Sequence, residues 1–306
     1  MALPRHCPLC HANADKQEVT TPHVFGQRRE QKRAFYHCDF CDVRYQYPGL
    51  TPEEEAQFYA AEFEEFMASR AGNDGGWNNA EKHVVANEQN RCRRMGYIDT
   101  LINPSTTFLE VGCSSGFMLY PLAQAGHGCV GVEPSGVFSN YVQNRGLKVY
   151  ESMEKLSNLA PNSKFDIIMH FFVLEHIASP LNFLQEQLKL LESGGSIVFE
   201  VPNAMDPLYT VYDIPAFERF YWSIAHPWYF SERSLSYLLG QLGNPFKIFC
   251  DQRYDLSNHM IWARDGRPGG MGKFSDVFGP EMDRAYKQAL IASGNCDTLV
   301  GIITKD

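Results

Sequence analysis

Two groups of residues in this chain could do chemistry. Cys7-Pro-Leu-Cys10 and Cys38-Asp-Phe-Cys41 are Cys-x-x-Cys turns separated by 27 residues. Each such turn presents two thiolates roughly 3.5–4 Å apart, and two turns supply the four soft ligands of a tetrahedral zinc ion. Cys7, Cys10, Cys38 and Cys41 would saturate the ion and leave no open position, so its role would be structural. His6, His11 and His37 flank the turns as alternative ligands. Disulfides are disfavoured, because no leader pattern opens the chain and five further cysteines are scattered along it. Reduced thiols and a cytoplasmic setting are the expectation. Neither turn follows a βαβ pattern, which argues against a redox pair.

The second group is Phe108-Leu-Glu110-Val-Gly112-Cys113-Ser114-Ser-Gly116-Phe, followed 21 residues after Gly112 by Glu133 in Cys129-Val-Gly-Val-Glu133-Pro134. An apolar strand ends in a glycine-bearing turn, a helix follows, and a second apolar strand ends in a carboxylate. Glycine lets backbone approach a ligand closely, the helix N-terminus offers free N–H groups, and the carboxylate can accept two ribose hydroxyls. A dinucleotide site would want Gly-x-Gly-x-x-Gly for its pyrophosphate. Here the acidic Glu110 precedes the first glycine and only two glycines are present, so a cationic ligand end is favoured over an anionic one.

The residues Glu110-Val-Gly112-Cys-Ser-Ser-Gly116 and Val132-Glu133-Pro134 resemble the first and second motifs of class I S-adenosylmethionine-dependent methyltransferases. The resemblance implies S-adenosylmethionine as cofactor. Glu110, Gly112, Cys113, Ser114 and Gly116 would surround its methionine part, and Glu133 with Pro134 its ribose. Serine replaces the middle glycine that many members carry. Further on, Phe165-Asp-Ile-Ile-Met-His170 reads as a fourth strand, running into a Leu174-Glu175-His176 segment similar to the family's, with His170 added to the cofactor set. Pro180 opens an amphipathic helix that Ser193-Gly-Gly195 stops, and residues 196–203 read as a fifth strand. The fold class implied is α/β: a doubly wound, Rossmann-like, seven-stranded methyltransferase sheet with a small N-terminal zinc-ribbon module.

The acceptor side is expected after the fifth strand. The segment 206–230 holds nine aromatic residues, among them Tyr209, Tyr212, Trp222, Trp228 and Tyr229, in a chain that is 13% aromatic overall. Ligands of doubly wound sheets bind outside the carboxyl ends of the strands, which puts this insertion over the site. The run Ala225-His226-Pro-Trp-Tyr229-Phe230-Ser231 resembles sugar-modifying methyltransferases of antibiotic and surface-polysaccharide clusters, including zinc-bearing nucleotide-sugar C-methyltransferases. In those a Glu usually precedes the histidine, and a further C-terminal domain follows. Ala225 and the shortness of this chain therefore favour O-methylation of a sugar or nucleotide-sugar, with C-methylation as the alternative. A hydroxyl acceptor needs a base, and a neutral histidine suits. His226 is the first candidate, then His176 and His259, with His170 and Glu175 behind them.

These residues must be held by a sheet and its helices. At 306 residues and 44% hydrophobic content, the chain can bury one large core and an appendage. The division expected is a zinc module at 1–50, a helical linker or lid at 51–104, and the methyltransferase domain at 105–306 with the aromatic insertion at about 204–230. Thr51-Pro52-Glu-Glu-Glu reads as a helix start, Phe58, Tyr59, Phe63, Phe66 and Met67 recur at helical spacing, residues 72–79 break the pattern, and a second helix covers 80–101. Late strands are read at 246–253, 258–264 and 297–304. The net charge of −9 disfavours nucleic acid, and no apolar run is long enough for a membrane. The basic cluster Arg28-Arg29-Glu-Gln-Lys32-Arg33 reads as a solvated hairpin tip. A zinc-bearing ribosomal RNA methyltransferase and a silent S-adenosylmethionine-binding module stay open, as does a homodimer.

Overall fold

The computed structural model describes residues 3–27, 32–51, 53–54, 58, 66, 70 and 79–306. Arg28, Arg29, Pro52, Tyr59, Phe63, Met67 and the turn-rich stretch 72–78 lie outside the described residues. The helix start at Thr51 is present as a reciprocal cap: the Glu54 amide donates to Thr51 Oγ1 at 3.2 Å and the Thr51 amide to Glu54 Oε2 at 2.9 Å.

The chain opens with three antiparallel strands, β1 (Gln17–Thr21), β2 (Ala34–Cys38) and β3 (Arg44–Tyr47). Helices α1 (Ala80–Ala86) and α2 (Glu88–Ile98) follow, separated at Asn87, which ends one helix and starts the next. The single helix expected over 80–101 is thus two, with a 3-10 turn at Asp99–Leu101. Then the βα alternation begins: β4 (Thr107–Val111), α3 (Leu119–Gln124), β5 (Gly128–Val132), α4 (Gly136–Asn144), β6 (Lys148–Tyr150), α5 (Met153–Leu159), β7 (Phe165–Phe171), α6 (Pro180–Leu190) and β8 (Leu191–Pro202). The fifth strand starts at Leu191 and runs through the glycines that were expected to precede it.

The insertion contains α7 (Pro207–Thr210), α8 (Pro215–Tyr221) and the short strand β9 (Trp228–Tyr229). The rest is α9 (Glu232–Gly240), β10 (Phe246–Asp251), α10 (Leu256–Asp265), α11 (Ser275–Ala292) and β11 (Thr298–Thr304). Residues 258–264, expected as strand, are therefore helix. Asp255 caps it by accepting from the Asn258 amide at 2.8 Å, and Gly266 closes it in the left-handed conformation.

The large sheet has the order β10-β11-β8-β7-β4-β5-β6, with β11 antiparallel to both neighbours and the other described pairs parallel. Successive residues of its central strands face opposite layers. Phe108, Ile167, Met169 and Val198 pack with Ile98 of α2, while Leu109, Ile168, Ile197 and Phe199 pack with Leu184 of α6. Both faces are buried, as a parallel sheet requires.

The small sheet has the order β1-β2-β3-β9, so its fourth strand comes from the aromatic insertion. Most of the insertion's aromatics are spent on this junction. Trp222 and Tyr229 are fully buried with Phe35 of β2, at ring separations of 5.2 and 5.5 Å. The aromatic insertion was expected to line the acceptor site; Phe217, Tyr221, Trp222 and Tyr229 instead form a core with Phe35 of β2 and Trp262 of α10. Tyr212 stays exposed.

Candidate active site

The glycine loop leaves β4 and turns back under β5. The Gly112 and Cys113 amides both donate to the Val132 carbonyl, at 2.8 and 3.1 Å. Gly112 has φ +73°, and a Cβ there would stand 2.7 Å from Val173 Cγ2, so the loop is packed against the segment after β7. Ser114 adopts φ +42°, the conformation the missing middle glycine would relax, at a cost on the order of 1 kcal/mol. Its amide donates to Glu133 Oε2 at 2.7 Å, which offsets that cost, and the Ser135 amide donates to Oε1 at 2.8 Å. Both carboxylate oxygens therefore accept from backbone amides, which fixes the plane of the group beside the glycine loop.

Glu110 is buried, and no donor among the described residues reaches its Oε2. Burial pushes its carboxyl well above the usual range; Arg94 opposes this, and the nearby Glu133 adds to it. From the helical side, Arg94 of α2 lies over the Phe171 ring at 4.2 Å and donates to Glu200 Oε2 at 2.9 Å. His83 of α1 ties the helices to the loop, its Nδ1 2.9 Å from Ser115 Oγ. Burial lowers that imidazole to about 4.

Beyond the loop, Glu175, His176 and His226 converge, with one ring nitrogen from each histidine and a Glu175 oxygen within 4.8 Å of one another. Three of the candidate bases named from the sequence are thereby brought together. His176 Nδ1 is 2.7 Å from the Ala225 carbonyl, which can only accept, so Nδ1 carries the hydrogen and Nε2 the lone pair. The Tyr229 hydroxyl donates to the Tyr221 carbonyl and accepts from the Ser223 amide at 3.0 Å. Its one proton is thereby committed, so His226 Nδ1, at 3.1 Å, must be the donor to it. His226 therefore also keeps its lone pair on Nε2. Burial lowers His176 to about 4 and His226 well below its ordinary value, so both are neutral at pH 7. Glu175 is fully buried, no donor among the described residues reaches either oxygen, and burial raises its carboxyl to about 8.

The four cysteines form a second centre. Cys7 and Cys41 Sγ are 3.7 Å apart and Cys10 and Cys38 Sγ 3.6 Å apart, with all four within 4.8 Å. A tetrahedron with metal–sulfur bonds of about 2.3 Å has edges of about 3.8 Å, so the set has the spacing of a zinc site. Both turns have the same shape. Cys7 and Cys38 each accept from the amide four residues on, at His11 and Asp42, and those two residues take positive φ. His37 is not part of the set; it bridges Glu18 and Asp42, each at 2.8 Å.

The family described as a methyltransferase domain matches residues 78–244, more than half of the chain. The chain belongs to that family. A ubiquinone biosynthesis O-methyltransferase of Ruegeria sp. (strain TM1040) is 26% identical over 164 residues, covering 50% of this chain and 65% of the relative. Another of the same description, from Parvibaculum lavamentivorans, is 30% identical over 101 residues, covering 31% and 40%. The chain thus spans less than two thirds of the length of these curated relatives. Among solved structures, a SAM-dependent methyltransferase from Archaeoglobus fulgidus is 19% identical with a TM-score of 0.47, covering 71% of this chain and 94% of that one.

In this member of the family the glycine loop and Glu133 meet, and His176 and His226 meet, at the carboxyl ends of the parallel strands. Pro134 is exposed beside Glu133. Two expected site residues lie elsewhere. His170 alternates to the opposite face of β7, stacked on Phe199 at 5.0 Å and 12°, where burial alone lowers it to about 3. His259 sits on α10 in a separate network with Tyr286, its Nδ1 2.5 Å from the Tyr286 hydroxyl. Sequence reasoning missed His83 and Arg94, and read Tyr229 only as one of the acceptor-side aromatics. The available signal for Arg94 was Glu200, a lone charge within an apolar strand that demands a partner. Among the described residues, no helix is long and apolar enough to cross a membrane.

Proposed function

We propose that this methyltransferase binds S-adenosylmethionine across the carboxyl ends of β4 and β5 and methylates a hydroxyl of a small-molecule acceptor, with His226 taking the hydroxyl proton. The observation that carries this reading is the convergence of two neutral imidazoles with Nδ1 as the protonated nitrogen and a buried carboxyl that no donor among the described residues reaches. Bound S-adenosylmethionine supplies a sulfonium methyl group open to in-line attack. Glu133, oriented by the Ser114 and Ser135 amides, would accept from the ribose hydroxyls. Glu110 would hold the ammonium group, and a cation there would favour the ionised form of its carboxyl, which burial alone disfavours. Gly112, lacking a side chain, keeps the loop close to Val173. His226 receives the acceptor's proton on Nε2, and orientation by the surrounding elements contributes at most about 7–11 kcal/mol.

Oxygen as the methylated atom is supported by the O-methyltransferase names of the relatives. A sugar or nucleotide-sugar acceptor rests on the His226-to-Ser231 segment, and Ala225 in place of a glutamate disfavours C-methylation. Incubation with methyl-labelled S-adenosylmethionine and a panel of nucleotide sugars and simple phenols should put label on an acceptor oxygen. Bound cofactor with no product from any hydroxyl acceptor would make the chain a binding module, and label in ribosomal RNA would favour the RNA reading.

Two predictions attach to the proposed ligands. Glu133→Ala should weaken S-adenosylmethionine binding by roughly 1.5–3 kcal/mol, the range for charge-assisted hydrogen bonds. Equal affinities for variant and wild type in calorimetry would mean that the tip of β5 is misassigned. The four cysteines are proposed to hold one structural zinc ion. Cys10→Ser should release it and lower the unfolding temperature, because the ion's binding energy is folding energy for these turns. Metal analysis finding no zinc in freshly purified protein would remove this assignment.

A further inference from the structure

The second cysteine turn is bonded directly to the segment that carries His226. Strand β3 leaves this turn and pairs with β9, Arg44 opposite Tyr229 and Tyr45 opposite Trp228. The Gln46 amide donates to the Pro227 carbonyl at 2.9 Å. Past β9, Arg233 donates to the Phe40 carbonyl at 2.6 Å and Ser231 Oγ to the Asp42 carbonyl at 3.4 Å. Phe40 lies between the two cysteines of the turn and Asp42 just after them, so the turn's own backbone is what grips the segment. Tyr229, in the middle of it, fixes the tautomer of His226.

We infer that the four-cysteine centre positions the base: metal held there fixes residues 38–42, these fix β3 and β9, and Tyr229 on β9 holds His226 with its lone pair on Nε2. Tyr229 is a positioning residue, since its hydroxyl touches the imidazole and not the reacting atoms. The inference rests on the reading of His226 as the base and of the cysteines as metal ligands. Its physical basis is that metal bound by Cys38 and Cys41 would tie this turn, with its left-handed Asp42, to Cys7 and Cys10 across the module and so hold the backbone that grips the segment.

Tyr229→Phe keeps the ring and its packing and removes the hydroxyl. It should retain its metal and its S-adenosylmethionine affinity, while kcat falls roughly 10–100-fold, the usual cost of removing a partner that orients a histidine. Nitrogen-15 NMR of His226 should change from a single Nδ1–H tautomer to a mixture. Stripping the metal from wild-type protein with a chelator should produce the same tautomer mixture and the same loss of kcat, again without loss of cofactor affinity. Applied to Tyr229→Phe, the chelator should add little, because both act on one link. Multiplying losses, or an unchanged His226 spectrum after metal removal from folded protein, would overturn the inference. Normal turnover of His226→Ala would instead overturn the base reading, and the NMR response to metal would still test the link.

Discussion

Replacing His226 by alanine should lower turnover about 10²–10⁴-fold while leaving S-adenosylmethionine binding intact. The imidazole is held by Tyr229 at Nδ1, so truncation removes the free Nε2 lone pair and little cofactor contact. The pH dependence follows from burial. An imidazolium cannot accept a proton, so the rate rises as pH climbs through the folded-state pKa of His226. Burial first, then the neighbouring His176 and Arg70, hold that pKa well below the ordinary 6.5. The wild-type profile should therefore already be flat at pH 6.5, not rising there as an exposed histidine would. Glu175, raised to about 8 by burial, loses its proton above neutrality and places a negative charge beside the imidazole. A second inflection near pH 8 is expected, absent in Glu175→Gln. Near-normal turnover of His226→Ala would move the base to His176 or Glu175, and loss of cofactor binding would make His226 a structural residue of the pocket.

The parts of this site legible in the sequence are those written in contiguous runs. Glu110, Gly112 and Glu133 declare themselves because a strand, a tight turn and a second strand tip fix their relative places through backbone geometry alone. The cysteine turns are legible for the same reason. What the sequence hides is contact between distant segments. Glu175 and His226 are neighbours only because the insertion folds back through β9 onto a sheet begun by the N-terminal module. The aromatic density of residues 206–230 was read as a ligand surface, yet rings that bury well against a ligand bury equally well against Phe35. Residues 258–264 were read as strand because their apolar positions fit either period. The Asp255 cap and Gly266 stop, which mark the helix, lie just outside that window.

Glu200→Ala should destabilise the fold by about 3–5 kcal/mol, the cost of leaving a buried charge without its partner. Glu200 lies in the middle of the sheet with no exposed area, accepting from Arg93 Nη1 at 2.5 Å and Arg94 Nε at 2.9 Å. Asp251 of β10 accepts from Arg93 and from the Tyr97 hydroxyl, so α2 is bound to two strands through one network. Burial pushes the Glu200 carboxyl up, but Arg94 and Arg93 outweigh it and hold the group below its usual value. A carboxylate depressed in the folded state contributes stability above its unfolded pKa of 4.5 and loses it as pH falls through the folded value. Urea unfolding at pH 7 should therefore show the full deficit, and the deficit should shrink below pH 4.5. Glu200→Gln, which keeps the shape and one acceptor, should fall between wild type and alanine. Because Arg94 stands beside both Glu110 and the Phe171 ring, the alanine variant should also bind S-adenosylmethionine more weakly. A deficit under about 1 kcal/mol at pH 7 would mean that α2 is held by its apolar face, with Ile98 in the core, and that the ion network is incidental to the site.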